Sequence, residues 1–281
     1  MEFTKDDISR YYDVAEIHYR RIWNLNKSKS FHYGYWDSST KNFHEALLNI
    51  NKVLAQYARI SPGDVVLDAG CGIGGSSIWL AKNIGCKVTG ITLNQHQVEK
   101  ANALAQKDGL QHLVTFERGD YLSTRFADES FDVVWAIESV CYADDKLDFA
   151  KEAFRLLRKG GRVVVADFYR KEGIIGKDSA LVKKWTNGWA VNEFSTEEEF
   201  IEQLTQAGFS NVYVENATPA IIRSAKRLYR AYWLSIIPIL IYRLIPGTSS
   251  LSRNNVQSAY LQYKTLKKGL WNYQIFSAEK E

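Results

Sequence analysis

Residues 65–75 of this 281-residue chain are Val-Val-Leu-Asp-Ala-Gly-Cys-Gly-Ile-Gly-Gly, and a helical pattern resumes at Ser76. The apolar run Val65–Leu67 contains β-branched residues, which predicts a buried strand. A strand, a glycine turn and a helix N-terminus together let backbone N–H groups approach a nucleotide-like ligand closely. Four glycines within six residues serve no packing purpose that alanine could not serve, so we favour a ligand site over an ordinary tight turn.

The acidic residue before these glycines narrows the choice of ligand. Gly70, Gly72 and Gly75 also satisfy the G-x-G-x-x-G pattern of dinucleotide sites, so the glycines alone leave the ligand open. Asp68 ends the predicted strand, where its carboxylate would repel a pyrophosphate and attract a cationic amine or a sulfonium. The combination predicts S-adenosylmethionine as the cofactor.

Composition and charge exclude several classes of protein. The chain is 46% hydrophobic and 24% charged, as expected of a soluble globular protein. Its three scattered cysteines are too few for a disulfide framework or a zinc site, so we predict no metal and a cytoplasmic location. The polar N-terminus is unlike a signal peptide, and a net charge of +4 is too mild to indicate nucleic acid. The composition neither predicts nor excludes a homo-oligomer.

Strands and helices alternate from residue 65 onward, which predicts an α/β fold with a doubly wound, Rossmann-like sheet of seven strands. The predicted strands are residues 65–67, 87–93, 114–117, 131–137, 162–167, 211–215 and 270–277. We expect a helical lid at 1–60, a cofactor-binding core at 61–218, a helical substrate cap at 219–268, and the last core strand at 269–281. The cap would thus be inserted between the last two strands.

The two regions outside this core are rich in aromatic residues. Residues 4–26 predict an aromatic-faced helix, and Phe31-His-Tyr-Gly-Tyr-Trp36 is either a plug over the core or a lid that closes on cofactor and substrate. The apolar run 232–242 is too short to span a bilayer, which takes about 20 residues, and Pro238 interrupts it. It is a buried cap helix, the wall of a hydrophobic substrate pocket, or an interfacial helix that would give a peripheral membrane contact.

Four motifs resemble those of class I S-adenosylmethionine-dependent methyltransferases, and most closely the sterol C-methyltransferase and γ-tocopherol methyltransferase group. They are Asp68-Ala-Gly-Cys-Gly-Ile-Gly74, Gly90-Ile-Thr-Leu-Asn94, Gly119-Asp120 and Trp135-Ala-Ile-Glu-Ser139. The resemblance covers residues 30–215 and thins over the insertion. It implies the following cofactor-binding residues: Tyr33, Asp68, Gly70, Cys71, Gly72, Gly74, Thr92, Leu93, Asn94, Gln97, Gly119, Asp120, Tyr121, Ile137 and Glu138.

The resemblance also implies individual roles. Asp68 would bind the methionine amine, Asp120 the adenine amine, and the Tyr121 backbone the adenine ring. Many class I enzymes have an acid where this chain has Asn94, so Asn94 and Gln97 would supply neutral hydrogen bonds to the ribose. Gln97 is alternatively a solvated helix residue.

Methyl transfer needs alignment of the acceptor and exclusion of water, because the donor is already activated. Transfer to an alkene carbon leaves a carbocation, which needs a ring-lined cavity and a base. The catalytic candidates are Glu138, the preferred base, with His32 and Tyr142; Glu138 alternatively holds the cofactor or a lid tyrosine. The substrate-binding candidates are Tyr11, Tyr12, Tyr35, Trp36, Trp185, Trp189, Tyr232 and Trp233. Sterol and tocopherol relatives commonly have a histidine near Cys141-Tyr142, where this chain has none.

The sequence therefore predicts transfer of a methyl group to a carbon of a hydrophobic isoprenoid, which could be a terpenoid, a prenyl diphosphate or a sterol-like molecule. Arg223, Lys226, Arg227 and Arg230 would suit a diphosphate or anionic lipid headgroups, or would simply be solvated. Methylation of an alkaloid-like amine or of a phenolic ring is the alternative within enzymes. A non-catalytic protein that binds S-adenosylmethionine is the alternative from another class.

Overall fold

The computed structural model describes residues 2–23, 25–234 and 250–281. Its centre is a seven-stranded sheet with the strand order β3-β2-β1-β4-β5-β7-β6. The strands are β1 (Val65–Ala69), β2 (Lys87–Thr92), β3 (Val114–Arg118), β4 (Phe131–Ile137), β5 (Leu157–Arg170), β6 (Ser210–Asn216) and β7 (Trp271–Glu279). Strands β1 to β5 are parallel, and β7 runs antiparallel between β5 and β6. The predicted doubly wound sheet of seven strands is confirmed.

Helices cover both faces of this sheet. They are α1 (Lys5–Ile22), α2 (Leu25–Ser28), α3 (Phe43–Tyr57), α4 (Gly75–Ile84), α5 (Gln95–Lys107), α6 (Lys146–Leu156), α7 (Gly176–Asn187), α8 (Glu197–Ala207), α9 (Thr218–Leu234) and α10 (Ser250–Lys267). Successive side chains of a strand point to opposite faces, so Val66 packs in one apolar cluster and Leu67 in the other. The strand order reverses between β1 and β4, which places a ligand crevice at their carboxyl ends.

Helix α1 begins at a capping box, in which the Thr4 side chain accepts from the Asp7 backbone and Asp7 accepts from the Thr4 backbone. Helices α9 and α10 are the described parts of the predicted insertion between the last two strands. They pack against each other, and α10 also packs against α1 and α7. Most of the apolar run 232–242 lies outside the described residues. Among the helices that are described, none is long and apolar enough to cross a bilayer.

Two features of the fold are not evident from the sequence pattern. Arg158-Lys-Gly-Gly161 resembles a helix stop and a turn, but it lies within β5, whose Leu157 already pairs with Phe131 before an irregularity in the register. Helix α7 is not predicted by the apolar pattern, because only a few of its side chains, among them Val182 and Trp185, are buried.

Candidate functional site

A cavity of about 510 Å³ lies at the carboxyl ends of β1, β2 and β4. Helix α1, residues 29–33, α9 and α10 form its other walls. One half is bordered by the glycine turn and by the end of β2. The other half, which we call the acceptor half, is lined mainly by aromatic and aliphatic side chains: Tyr12, Tyr19, Ile22, Trp23, Phe31, His32, Tyr33, Glu138, Cys141, Tyr142, Phe168, Trp189, Leu228, Ala231, Tyr232, Asn255, Val256 and Ala259.

The glycine turn is packed more tightly than the sequence suggests. A Cβ at Gly70 would meet Ser139 Cβ at 2.4 Å, and one at Gly74 would meet the Phe116 ring at 2.4 Å. Both glycines have positive φ, and Gly74 is the N-cap of α4. The expectation that alanine could pack equally well here is therefore wrong. Gly70, Cys71 and Gly72 line the cavity, whereas Gly74 does not.

Asp68 is buried at the end of β1 and borders the cavity. Its carboxylate accepts a hydrogen bond of 2.5 Å from the Ser77 hydroxyl. Burial raises the pKa of Asp68 to about 7, against the smaller lowering effect of the Ser77 hydrogen bonds. A buried acid of this kind is stabilised in its ionised form by a neighbouring cation. The residues present therefore fit a ligand that carries an amine or a sulfonium.

The end of β2 is held by side-chain hydrogen bonds. The Thr92 hydroxyl donates to Gln97 Oε1 at 2.7 Å, and Asn94 Oδ1 caps α5 by accepting from the Gln97 backbone. Gln97 is buried, so it is not a solvated helix residue. Asn94 Nδ2 donates to Asp13 Oδ1 of α1 at 2.8 Å. Thr92, Leu93, Asn94 and Gln97 all line the cavity, and Asn94 also fastens α1 over it.

The end of β3 lies at the rim of the cavity. Gly119 and Asp120 are not among its lining residues, whereas Tyr121 is, and the Tyr121 hydroxyl donates to the Ser139 carbonyl at 2.6 Å. The Asp120 carboxylate is 2.5 Å from Lys5 Nζ at the start of α1. Helix α1 is thus tied to the ends of both β2 and β3.

Glu138 follows β4 and has a left-handed backbone, with φ of 49°. Its Oε1 accepts from the Tyr33 backbone at 2.7 Å and from the Tyr273 hydroxyl at 2.9 Å. Burial, with a smaller contribution from the negative charge of Asp167, raises the pKa of Glu138 to about 8. A strained backbone and a buried acid in one cavity are features that concentrate at functional sites. Ile137, which precedes Glu138, also lines the cavity.

His32 and Tyr142 lie in the acceptor half. His32 Nδ1 is 2.9 Å from the Tyr33 carbonyl, which can only accept, so Nδ1 carries the proton. Its Nε2 is buried and has no partner in the described part of the chain. Burial lowers the pKa of His32 to about 4, so the ring is a neutral hydrogen-bond acceptor rather than an effective base at neutral pH.

The structure separates the aromatic substrate candidates into two groups. Tyr12, Trp189 and Tyr232 line the cavity. The other five are not among its lining residues: Tyr11, Tyr35, Trp36, Trp185 and Trp233.

Each residue of the second group has a contact or exposure that explains its position. Tyr11 is buried behind the wall with its hydroxyl bonded to Asn255, and Tyr35 donates to Glu215. Trp36 donates to Ser224, and Trp185 is fully buried against Trp271. Trp233 is on the outer face of α9, 49% exposed.

Several lining residues were missed by the sequence reasoning, among them Phe168, Asn255 and Ala259. Phe168 follows Asp167 near the end of β5. Its position near the carboxyl end of a parallel strand could have been used to predict that it lines the cavity. Asn255 and Ala259 belong to α10, whose contact with α1 joins parts of the chain more than 200 positions apart. No local pattern could have revealed that contact.

Comparison with known proteins agrees with this geometry. The family model described as "Methyltransferase domain" matches residues 67–165. The 27-O-demethylrifamycin SV methyltransferase of Amycolatopsis mediterranei is 31% identical over 228 residues, which cover 80% of this chain and 82% of that protein. The 2-methyl-6-phytyl-1,4-hydroquinone methyltransferase of Synechocystis is 33% identical over 223 residues, which cover 77% of this chain and 65% of that protein.

A solved geranyl diphosphate methyltransferase in complex with geranyl diphosphate and sinefungin superimposes with a TM-score of 0.78. It is 23% identical, and the alignment covers 99% of each chain, so the two proteins share the fold. This chain belongs to the S-adenosylmethionine-dependent methyltransferases of class I. S-adenosylmethionine is its cofactor, which agrees with the buried carboxylate of Asp68 beside the glycine turn.

Proposed function

We propose that this methyltransferase transfers the methyl group to a carbon of a hydrophobic isoprenoid acceptor, with Glu138 as the base. The observation that carries the proposal is the position of Glu138, a buried carboxyl group in the acceptor half of the cavity, which is lined mainly by rings and aliphatic side chains. Glu138 Oε1 already accepts from Tyr33 and Tyr273, and a carboxylate can accept further hydrogen bonds, so the group can still meet a proton or a positive charge of the ligand.

The rings of the acceptor half support the same chemistry. Tyr12 and Phe31 pack edge to face with their centroids 5.6 Å apart, and Tyr19 and Phe31 do so at 5.0 Å. Aromatic faces stabilise a cation within about 6 Å of the ring centroid, by about 2 kcal/mol where water is excluded. A carbocation on the acceptor would find such faces on several sides.

The reaction balances with the residues named. S-adenosylmethionine, when bound, supplies an electrophilic methyl group and leaves as the neutral thioether. The π electrons of an acceptor alkene form the new carbon–carbon bond, and the adjacent carbon becomes cationic. Glu138 takes a proton from the carbon next to that centre, which restores an alkene. The walls exclude water, which would otherwise trap the cation as an alcohol.

The relatives' names support an isoprenoid and also favour a second candidate. The hydroquinone named for the Synechocystis relative carries a phytyl group, which is an isoprenoid chain. The name of the Amycolatopsis relative specifies an oxygen position. Transfer to an acceptor hydroxyl is therefore the second candidate. The same substrate panel also tests methyl transfer to an amine and to a phenolic ring carbon.

Incubation with methyl-labelled S-adenosylmethionine and a panel of terpenols, prenyl diphosphates, sterols, phenols and amines tests the proposal. We expect label in an isoprenoid of the panel, and at least a hundredfold loss of turnover in Glu138→Gln. Glu202→Gln, which changes an exposed acid of α8, is the matched control. Label found only in phenols or amines would contradict the isoprenoid acceptor. Full turnover in Glu138→Gln would contradict the role of Glu138 as the base.

The outer face of α9 supports a further part of the proposal, contact with an anionic membrane surface that holds the acceptor. Arg223, Lys226 and Arg230 are exposed on this helix, which contains no acidic residue. Trp233 and Leu234 at its end are 49% and 84% exposed. Basic and apolar groups on one exposed face are typical of interfacial helices.

Vesicle flotation tests this contact. We expect the protein to float with phosphatidylglycerol vesicles but not with phosphatidylcholine vesicles, and the variant Trp233→Ala/Leu234→Ala to remain in solution. Ile175→Ala, which removes another exposed aliphatic side chain, is the control. Equal flotation of both variants would contradict this contact.

A further inference from the structure

We infer that the acceptor is a neutral molecule with a hydroxyl group, and that this hydroxyl binds a cluster of tyrosine hydroxyls in the acceptor half of the cavity. The inference deepens the proposed function and rests on it. The cluster, called the hydroxyl cluster here, consists of the hydroxyls of Tyr11, Tyr12, Tyr19 and Tyr142 and the side-chain amide of Asn255. Helix α1, the turn after β4 and helix α10 contribute these groups.

The hydroxyl cluster is a polar patch within the mainly apolar wall of the acceptor half. Asn255 Nδ2 donates to the Tyr11 hydroxyl at 2.7 Å, and Tyr19 neighbours that hydroxyl. The Tyr12 hydroxyl donates to the Tyr142 hydroxyl at 3.2 Å. Four members line the cavity: Tyr12, Tyr19, Tyr142 and Asn255.

The bond between Tyr12 and Tyr142 leaves hydrogen-bonding capacity toward a ligand. Its 3.2 Å is long for a bond between two hydroxyls, whose usual distance is about 2.7–2.8 Å. Burial raises the pKa of Tyr12 and Tyr142 well above the usual value, so both keep their protons. Only one of the two hydroxyl protons can lie in this bond, so within the described residues the other has no protein acceptor in the hydrogen-bond network. A ligand hydroxyl can accept that proton and donate in return to a tyrosine oxygen.

The charges around the cavity disfavour a diphosphate. In the described part of the wall, the charged side chains are Lys29, Asp68 and Glu138. Lys29 already pairs with Asp108 at 2.8 Å, so among these side chains a diphosphate would find no unpaired cation, and in the acceptor half it would meet the carboxyl group of Glu138. An anion without a cationic partner is strongly unfavourable in such surroundings.

The basic residues that the sequence offered for a diphosphate lie elsewhere. The Arg223 guanidinium is over the Trp36 ring, 5.1 Å from its centroid, and the Arg227 guanidinium is over the Phe43 ring at 4.6 Å. Arg227 also donates to the Ile22 carbonyl at 2.9 Å. These arginines, with Lys226 and Arg230, are exposed on α9 and are not among the lining residues of the cavity. The part of the wall that the structure describes therefore matches an isoprenoid alcohol rather than its diphosphate.

Binding to the protein saturated with S-adenosylhomocysteine tests this inference directly. The probes are geraniol and farnesol, their diphosphates, and the hydrocarbons myrcene and farnesene, which share the same carbon skeletons. We expect at least one alcohol to bind about tenfold more tightly than its diphosphate and its hydrocarbon. The double variant Tyr12→Phe/Tyr142→Phe should lose that preference over the hydrocarbon while it still binds S-adenosylhomocysteine, which shows that it is folded. Tyr213→Phe, a half-exposed tyrosine on β6, is the control.

The other outcomes contradict different parts of the account. Tighter binding of the diphosphates would overturn the neutral acceptor and leave the isoprenoid proposal standing. Equal binding of alcohol and hydrocarbon, or an unchanged preference in the double variant, would overturn the hydroxyl cluster as the docking site. Failure of all six probes, with methyl transfer to a phenol or an amine, would overturn both this inference and the isoprenoid acceptor.

Discussion

The backbone N–H of Tyr33 donates a hydrogen bond of 2.7 Å to the carboxylate of Glu138. These two residues are 105 positions apart, one on the aromatic segment that covers the cavity and the other at the end of β4. The bond lowers the pKa of Glu138 against the larger effect of burial. The position of the covering segment and the proton affinity of the proposed base are therefore linked.

Activity should depend on the ionisation of Glu138. Because its pKa is raised to about 8, the carboxyl group is mostly protonated at pH 7 and gains its basic form as the pH rises. We expect kcat/KM for the acceptor to rise through an inflection near pH 8, and Glu138→Asp to keep a pH-dependent residual rate. Steady-state rates between pH 6 and 9.5 measure this. A flat profile in the unmodified protein would contradict the role of Glu138.

Cofactor binding should release protons. Asp68 has its pKa raised to about 7, and the positive charges of S-adenosylmethionine favour its ionised form, so binding lowers that pKa. At pH 7 we expect net proton release, seen by calorimetry in two buffers with different enthalpies of ionisation. Asp68→Asn should bind at least tenfold more weakly and release fewer protons, whereas Glu202→Gln should match the unmodified protein. Proton uptake on binding would contradict this prediction.

The stability of the ligand-free protein should fall as the pH rises from 6.5 to 8.5. In the unfolded chain Asp68 and Glu138 are already ionised throughout this range, whereas their folded pKa values are about 7 and 8. The folded state therefore binds more protons, and the free energy of unfolding decreases with pH. We expect a lower Tm at pH 8.5 and a smaller decrease in Asp68→Asn. A Tm that rises over this range in the unmodified protein would be inconsistent with two buried protonated acids.

Two glycines at the ends of α4 offer a matched pair of variants. Gly74 and Gly85 have φ of 81° and 83°, but a Cβ at Gly74 meets the Phe116 ring at 2.4 Å while one at Gly85 meets nothing within 4 Å. We expect Gly85→Ala to reduce the free energy of unfolding by about 1 kcal/mol, for backbone strain alone. Gly74→Ala should reduce it by about 3 kcal/mol, because overpacking adds to the strain. Equal losses in urea titration would contradict the close packing.

The attachment of α1 can be tested without disturbing α5. Asn94→Asp keeps an N-cap for α5 but places a carboxylate against Asp13, where an amide now donates at 2.8 Å. We expect faster hydrogen exchange along α1 and faster dissociation of S-adenosylhomocysteine, each by about three- to tenfold. The second substitution Asp13→Asn should reverse both effects by restoring a donor and an acceptor. If the double variant restored neither rate, the hydrogen bond between residues 94 and 13 would not be the contact that holds α1 in place.

Much of the cofactor half could be predicted because its signals are local. A β-branched run, the glycine turn and the acid at Asp68 occur within a few residues, and parallel strands bring their carboxyl ends to one edge of the sheet. Asp68, Asn94 and Glu138 lie at that edge, as expected for residues at the carboxyl ends of parallel strands. The tight packing of the glycines could not be predicted, because Phe116 of β3 and Ser139 after β4 are distant from them in the sequence.

The acceptor half was harder to predict because aromatic residues serve both core and cavity. Trp185 and Trp189 are four positions apart, yet the first is fully buried in the core and the second lines the cavity. Trp185 lies in the last turn of α7 and Trp189 just after the helix ends, and α7 packs against α10, which is distant in the sequence. The sequence suggested that the basic side chains of α9 could bind a diphosphate. It shows which residues are charged, but not which side of the helix faces the cavity. Residues 235–249, where most of the predicted apolar run lies, are outside the described part of the chain.

The most direct test of the central proposal is the position of the transferred methyl group. The protein is incubated with ¹³C-methyl S-adenosylmethionine and the best terpenol of the panel, and the product is examined by carbon NMR. We predict a methyl group bonded to carbon beside a rearranged alkene, and its loss in Glu138→Gln. A signal typical of a methoxy group, formed equally by Glu138→Gln, would contradict carbon methylation with Glu138 as the base.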